Sequence, residues 1–418
     1  MIGGTAINRL FTTMLFLLGL CAGLLDAISI NEKTPMSVMA EANMTVPEVI
    51  RFWGYPVEEH KVVTDDDYIL TVHRIPHGRN NQKSSGKRPV IFLQHGLICS
   101  SSVWVLNLPH QSAGFYFADQ GFDVWMGNFR GNSYSNKRLK NDSREESNYW
   151  KFSWEEMSKY DLPAMINHAL KKSGQPSLYY VGHSQGTLTM LAKLSKDQAF
   201  SKKIRKFFLL APVSRLARVK GVFHLMGEIY ENYKLYLDLF GDSESLANNA
   251  LLTSLMKSSC DSSKGLVNCQ SLLFAVGGPN SHQFNNSRIG IYLAHNPSGT
   301  SVRNMVHFSQ MVHSKKMASF DEGPQENLEL YGQIEPPEYD LSKVHGDLYL
   351  FYSEYDWIAS PADAEGYLIP TLPKNCVKLA RNLKEFNHHD FLLGLRARAE
   401  IYEPIADIVR KDFHGNGR

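Results

Sequence analysis

The chain has no excess of charge of either sign. Its 44 lysines and arginines stand against 42 aspartates and glutamates, a formal net charge of +2. No basic stripe dominates, so the electrostatic footprint of a nucleic-acid-binding protein is missing. Internal repeats and low-complexity runs are also absent. With 43% hydrophobic and 21% charged residues, the composition is globular rather than disordered. Cysteine is scarce, five in 418 residues, and no group of cysteines and histidines has the spacing of a zinc site. The apolar run behind Arg9, "LFTTMLFLLGLCAGLLDA", holds about 16 apolar residues, short of the roughly 20 that span a bilayer. A basic start, a short apolar centre and a small-residue exit read as a secretory signal peptide over 1–27, ending near Ala22 or Ala27. An uncleaved membrane anchor is the rival reading.

Entry into the secretory pathway agrees with two further features. Acceptor sequons begin at Asn43, Asn141 and Asn285, while Asn296-Pro-Ser is excluded by its proline. Of the cysteines, Cys21 lies in the leader. Cys260 and Cys269 are close enough to close one small loop, and an oxidising compartment favours a disulfide there over two reduced thiols. Cys99 and Cys376 would then be free.

The length allows two or three domains, or one large α/β domain with an insertion. "HKVVTDDDYILTVHRIP" (60–76) reads as a hairpin of two alternating runs about an acidic turn. "PVIFLQHG" (89–96), "GFDVWMGN" (121–128), "SLYYVGHS" (177–184), "KFFLLAP" (206–212) and "DLYLFYS" (347–353) are continuous apolar runs, as expected of strands covered on both faces. Helical stretches intervene. "SWEEMSKYDLPAMINHALKKSG" (153–174) opens on a capping-box pair, Ser153 and Glu156, and ends at Gly174. Its Pro163 suggests two helices meeting there. Strands alternating with helices predict an α/β fold with a mostly parallel central sheet. Between 214 and 340 the pattern turns helical, notably in 216–240 and 301–317, so this segment reads as an insertion over one end of the sheet. The expected division is a core of 28–213 and 341–418 with a helical cap and lid at 214–340.

"YYVGHSQGTLTML" (179–191) carries the chemistry. It holds Gly182-His183-Ser184-Gln185-Gly186, a G-x-S-x-G between an apolar run and a helical one. In that context the motif is a nucleophile elbow, a sharp strand-to-helix turn that displays Ser184, flanked by glycines because β-carbons there would clash. A serine hydroxyl is a poor nucleophile near neutral pH and needs a base. It also needs donors for the tetrahedral oxyanion, here the backbone N–H groups of Gln185 and of Leu97 in "FLQHGLICSS" (92–101). An acid and a histidine should follow in that order. "YLFYSEYDWIASPAD" (349–363) offers Glu354, Asp356 and Asp363. Asp356 ranks first because it lies just past a strand end, whereas Asp363 reads as a helix-start residue near Pro361. The histidine lies in "LKEFNHHDFLLGL" (383–395), where His388, His389 and Asp390 follow one another. As a metal site this cluster fails, because adjacent residues rarely point at one ion.

Several stretches together resemble the acid lipase family of the α/β-hydrolases, the group of gastric and lysosomal acid lipases. They include "IRFWGYPVEEHKVVTDDDYILTVHRIP", "LQHGL", "NFRGNSYS", "FSWEEMSKYDLPAMI", "GHSQGT", "LAHNPSGTSVRNMVHFSQ", "EYDWIASPAD" and "FNHHDF", from about Thr45 to the C-terminal helix. The resemblance implies Ser184 as nucleophile, Asp356 as acid and His388 as base, with His389 at a variable position. It implies a hydrolase core with a helical cap and mobile lid, and a disulfide corresponding to Cys260–Cys269. Gly277 stands near the place where some members carry a free cysteine, and "TDDDY" replaces their more usual Asp-Gly turn. No cofactor or metal is implied. The implied substrate is a neutral lipid, triacylglycerol or cholesteryl ester, at a droplet or membrane surface, met by a lysosomal or secreted enzyme without a transmembrane anchor. A carboxylesterase, an acyltransferase or a non-catalytic lipid-binding relative are the alternatives; labelling by a serine-directed fluorophosphonate separates the last from the enzymes.

Overall fold

The computed structural model describes residues 40–80, 86–139, 149–224, 244–245 and 269–415. The leader expected at 1–27, the sequon at Asn141, Cys260, the Cys269 side chain and most of the helix expected over 216–240 lie outside the described residues.

The hairpin forms as its alternation predicts: β1 (Glu58–Val63) pairs antiparallel with β2 (Tyr68–Ile75). Its acidic turn places Asp67 at φ +71°, the left-handed conformation usually left to glycine. Aspartate tolerates that region better than most side chains, and the turn is closed by Asp67 N–H to Thr64 O at 3.0 Å. The apolar runs become β3 (Val90–Gln94), β4 (Asp123–Gly127), β6 (Leu178–His183), β7 (Ile204–Leu210) and β10 (Leu348–Ser353). Every residue of β3, β4 and β6 is buried, so both faces of the sheet are covered, which is why these runs are continuous rather than alternating. The two-residue β5 (Lys137–Arg138) pairs with β2, and β11 (Val377–Leu383) closes the far edge. The order is β1-β2-β4-β3-β6-β7-β10-β11, with β4, β3, β6, β7, β10 and β11 all parallel to their neighbours in that run.

The segment opening at Ser153 differs from the two helices expected. Ser153 caps Trp154–Glu156 in the predicted capping box with Glu156. A π turn over Met157–Asp161 then leads directly into the helix Leu162–Ser173, which ends on Gly174 at φ +64°. Pro163 offers no N–H and its ring crowds the carbonyl one turn back; the widened turn accommodates both without breaking the rod. Between 214 and 340, helices span Cys269–Gly277, Ile289–His295, Val302–Ser314 and Pro324–Tyr331. Strand there, among the described residues, is limited to the two-residue pair β8 (Glu244–Ser245) and β9 (Thr300–Ser301). No helix among the described residues is long and apolar enough to cross a membrane.

Four loops leave the carboxyl ends of β3, β6, β10 and β11, and these carry Leu97, Ser184, Asp356 and His388. Residues at the carboxyl ends of parallel strands converge on one rim, the usual place for a site in an open α/β sheet.

Candidate active site

Ser184 stands between the end of β6 and the helix Gln185–Lys196, at φ +53° and ψ −119°. A side chain held at positive φ is strained and persists only where its surroundings enforce it. The glycines show how. A β-carbon on Gly182 would lie 2.9 Å from the Gly186 backbone, and one on Gly186 would lie 2.6 Å from Gln94 O. Only bare glycines let the helix turn back this tightly across the end of β3.

The loops after β10 and β11 close on that serine. His388 Nε2 lies 2.8 Å from Ser184 Oγ, and His388 Nδ1 lies 2.9 and 3.0 Å from the two Asp356 oxygens. Since Asp356 only accepts, His388 Nδ1 carries the proton and Nε2 presents its lone pair to the serine hydroxyl. Asp356 is fixed in turn by the N–H groups of Ile358 and Ala359, both 2.8 Å from Oδ1. All three side chains are buried, which strengthens each charge-assisted contact. The other acids stand elsewhere. Glu354 is exposed. Asp363 sits in the first turn of Pro361–Asp363 and receives Arg215 Nε at 3.2 Å and Arg218 N–H at 2.9 Å.

The loop after β3 passes against the serine: a β-carbon on Gly96 would be 2.9 Å from Ser184 Cβ and 3.4 Å from its Oγ. The Gly96 carbonyl is held away by the His95 ring at 2.8 Å and by Cys99 N–H at 3.3 Å. Because the Gly96–Leu97 peptide is planar and trans, the Leu97 N–H points opposite to that carbonyl. Gln185 N–H belongs to the first helical residue after the serine, and its side chain is tied at Oε1 by Asn304 Nδ2 of the helix Val302–Ser314, at 2.8 Å.

Sequence reasoning passed over the polar groups behind this loop. His95 Nδ1–H donates to Gly96, so Nε2 accepts, from Phe129 N–H at 3.1 Å and Asn132 Nδ2 at 3.2 Å. Burial lowers the His95 pKa to about 4, so the ring is neutral and keeps that tautomer. Asn132 Nδ2 also reaches Asn128 Oδ1 at 3.0 Å, and Asn128 Oδ1 accepts Ser101 N–H at 2.8 Å. The stretch "NFRGN" after β4 thus braces the loop. Its visible signal was two asparagines directly behind an apolar strand. Arg130 in the same stretch is buried and gripped by Asp161 in the π turn and by Asp66 in the β1–β2 turn.

The doubled histidine is asymmetric. His389 turns toward the helix Cys269–Gly277, its ring against Gly277, and is held neutral by burial, its pKa lowered to about 4. Asp390 accepts Asn387 N–H at 2.7 Å, and burial pushes its pKa up to about 7. Among the described residues, no three His, Cys, Asp or Glu side chains gather as metal ligands.

A serine elbow after β6, with an acid after β10 and a histidine after β11 in this strand order, defines an α/β-hydrolase. Comparison with known proteins agrees. Residues 46–108 match the partial alpha/beta-hydrolase lipase region and residues 89–394 the alpha/beta hydrolase fold. Lipase lipl-3 of Caenorhabditis elegans is 45% identical, with 95% of this chain and 99% of the relative covered. The human lysosomal acid lipase/cholesteryl ester hydrolase is 42% identical, over 90% of this chain and 93% of the relative. Human gastric triacylglycerol lipase is 39% identical, over 89% and 92%. A crystal structure from Sulfolobus solfataricus superposes with a TM-score of 0.55 at 15% identity, covering 85% of this chain and 99% of the other, a likeness of fold. The chain belongs to the acid lipase family of the α/β-hydrolases.

Proposed function

We propose that the protein is a lipase that hydrolyses carboxylic esters of neutral lipids, triacylglycerol, cholesteryl ester or both, and releases fatty acid. The observation that carries this reading is the continuous hydrogen-bonded line from Asp356 through His388 to Ser184. His388 Nε2 takes the hydroxyl proton as Ser184 Oγ attacks the ester carbonyl. Asp356 accepts from Nδ1–H and stabilises the imidazolium that forms. The N–H groups of Leu97 and Gln185 hold the oxyanion. His388 returns its proton to the leaving alcohol, then activates water to free the acid from Ser184. Chemistry of this kind needs no metal or cofactor.

The test is Ser184→Ala, expected to fold and bind lipid but to turn over no ester; turnover at the wild-type rate would end this reading. A panel of triacylglycerol, cholesteryl ester and phospholipid, assayed from acid to neutral pH, identifies the preferred lipid. The wider reading has a leader at 1–27, a core of 28–213 and 341–418, a cap with a lid at 214–340, and a Cys260–Cys269 disulfide. It places the enzyme in the secretory pathway, bound for the lysosome or the outside of the cell, acting at a droplet or membrane surface. Glycans are proposed at Asn43, Asn141 and Asn285. Asn43 is exposed and Asn285 half-buried, so enzymatic deglycosylation and a mass shift test each site. The names of the gastric and lysosomal relatives support the lipid class and both destinations.

A further inference from the structure

Next to the serine lies a second histidine that the reaction above does not use. His183, the last residue of β6, is buried, and its Nε2 stands 2.9 Å from the backbone carbonyl of His388. A carbonyl only accepts, so His183 carries its proton on Nε2 and donates. The two rings lie 4.9 Å apart, tilted by 48°. Burial first, then the nearby His388, lowers the His183 pKa well below the usual histidine value, which favours the uncharged ring. Its Nδ1 is buried without a partner among the described residues. Leaving a buried ring nitrogen unpaired costs stability, so the ring is held there by its other nitrogen and its shape.

The opposite side of His388 is held as well. Its backbone N–H donates to the carbonyl of Gly277 at 2.9 Å, and the same carbonyl receives Trp357 N–H at 3.3 Å. The peptide groups flanking the His388 α-carbon are therefore gripped from two directions: by the end of the helix Cys269–Gly277 and by the residue adjoining the nucleophile. The His388 loop is 205 residues from His183 in sequence. Its distance from Ser184 Oγ must hold within a few tenths of an ångström for proton transfer. A hydrogen bond from the elbow itself moves the base with the nucleophile when either shifts.

We propose that His183 is a positioning residue: its Nε2–H locks the backbone of His388 to the serine elbow and so sets the Ser184–His388 distance. It touches no substrate and exchanges no proton with it. This inference rests on Ser184 and His388 being the nucleophile and base.

The test compares His183→Leu, which fills the space without a donor, with His183→Gln, whose amide nitrogen can replace Nε2. Folding is followed by thermal unfolding, and active sites are counted by stoichiometric fluorophosphonate labelling. Turnover of a soluble short-chain ester is then expressed per labelled serine. His183→Leu is expected to lower kcat per labelled site by about ten- to a hundred-fold, the scale of a base misplaced by up to an ångström, with KM within about twofold. His183→Gln should recover most of that loss. Per-site kcat unchanged in His183→Leu overturns the proposal. So does equal loss in both variants, since the donor would then not matter. If His183→Leu does not fold, His183→Gln and His183→Asn decide, since asparagine is too short to reach the carbonyl and must lose kcat where glutamine keeps it. Ser184→Ala run alongside separates failure of the triad reading, which leaves its turnover intact, from failure of this one.

Discussion

Gly277 and His389 share one volume: a β-carbon on Gly277 would stand 2.5 Å from His389 Cδ2 and 2.8 Å from its Nε2. The histidine ring fills the space that a side chain at 277 would need. Gly277 is helical and not at positive φ, so it is restricted by space rather than by conformation. Its carbonyl also anchors His388, so any shift there reaches the proposed base. Gly277→Ala is expected to lower both melting temperature and turnover. Adding His389→Ala should restore part of both, because the clash disappears. Residues in contact couple by about 0.5–3 kcal/mol, and a double-mutant cycle on stability measures it. Strict additivity would show that the two do not compete for space.

Asp356→Asn tests the tautomer argument. The amide oxygen can still accept from Ile358 and Ala359, whose N–H groups both meet Asp356 Oδ1. Its NH₂ then faces His388 Nδ1 and can only donate, so the ring must move its proton to Nε2, where it meets the serine hydroxyl instead of accepting from it. The expected loss is on the order of 10⁴ in kcat with the fold intact. Separate replacement of the two histidines should show a matching contrast, with turnover abolished by His388→Ala and largely kept by His389→Leu, as ester assays on the purified variants can establish.

Most of the sheet was legible in the chain, through the alternation of the β1–β2 hairpin and through near-continuous burial elsewhere. β3, β4, β6, β7 and β10 wrote themselves as apolar runs because neighbours cover both their faces. β11 did not. Its first six residues alternate between half-buried and exposed and include Lys378, Arg381 and Asn382, so this edge strand has no continuous apolar run to mark it. The elbow was legible because its constraint is local: two glycines, a serine and a strand-to-helix junction within five residues. Asn132, Asn128 and His183 were not. Their meaning lies in partners 27 to 205 residues away, and no local spacing encodes a contact made only by folding. The resemblance to acid lipases singled out His388 from His389; the residues alone left a cluster.

Asp390 predicts how stability varies with pH. Its carboxyl is buried, and desolvation raises its pKa to about 7 against roughly 3.9 in an unfolded chain. The folded state therefore holds this proton more tightly. Its ionisation penalises folding at alkaline pH, and the penalty fades as pH falls from 7 toward 4. Asp390→Asn should stabilise the protein at pH 8 by an amount on the order of a few kcal/mol, and by almost nothing near pH 4. The neutral buried histidines act the other way: His95 and His389, each lowered to about 4, give stability that is present above 6.5 and lost as pH falls toward 4. Denaturant unfolding of wild type and Asp390→Asn at the two pH values checks the difference. A gain of equal size at both would disprove the linkage.

Asn132 carries the prediction for the loop behind Leu97. Its Nδ2 donates to His95 Nε2 at 3.2 Å and Asn128 Oδ1 at 3.0 Å, while its Oδ1 takes Tyr134 N–H at 3.0 Å and Ser135 N–H at 3.1 Å. Asn132→Asp keeps the shape and both acceptor bonds but replaces the donor with an oxygen. That oxygen faces the His95 lone pair and Asn128 Oδ1 and repels both, so the His95 ring, still holding Phe129 N–H at Nε2, is pushed out of line with the Gly96 carbonyl. Freed, the Gly96–Leu97 peptide can rotate, and the Leu97 N–H leaves the position needed to meet an oxyanion. The expected cost approaches that of losing one oxyanion donor, about a hundred-fold or more in kcat. KM should change little, because ground-state binding of the acyl chain does not use this group. A loss in KM alone would mean that the loop shapes the lipid pocket rather than the transition state.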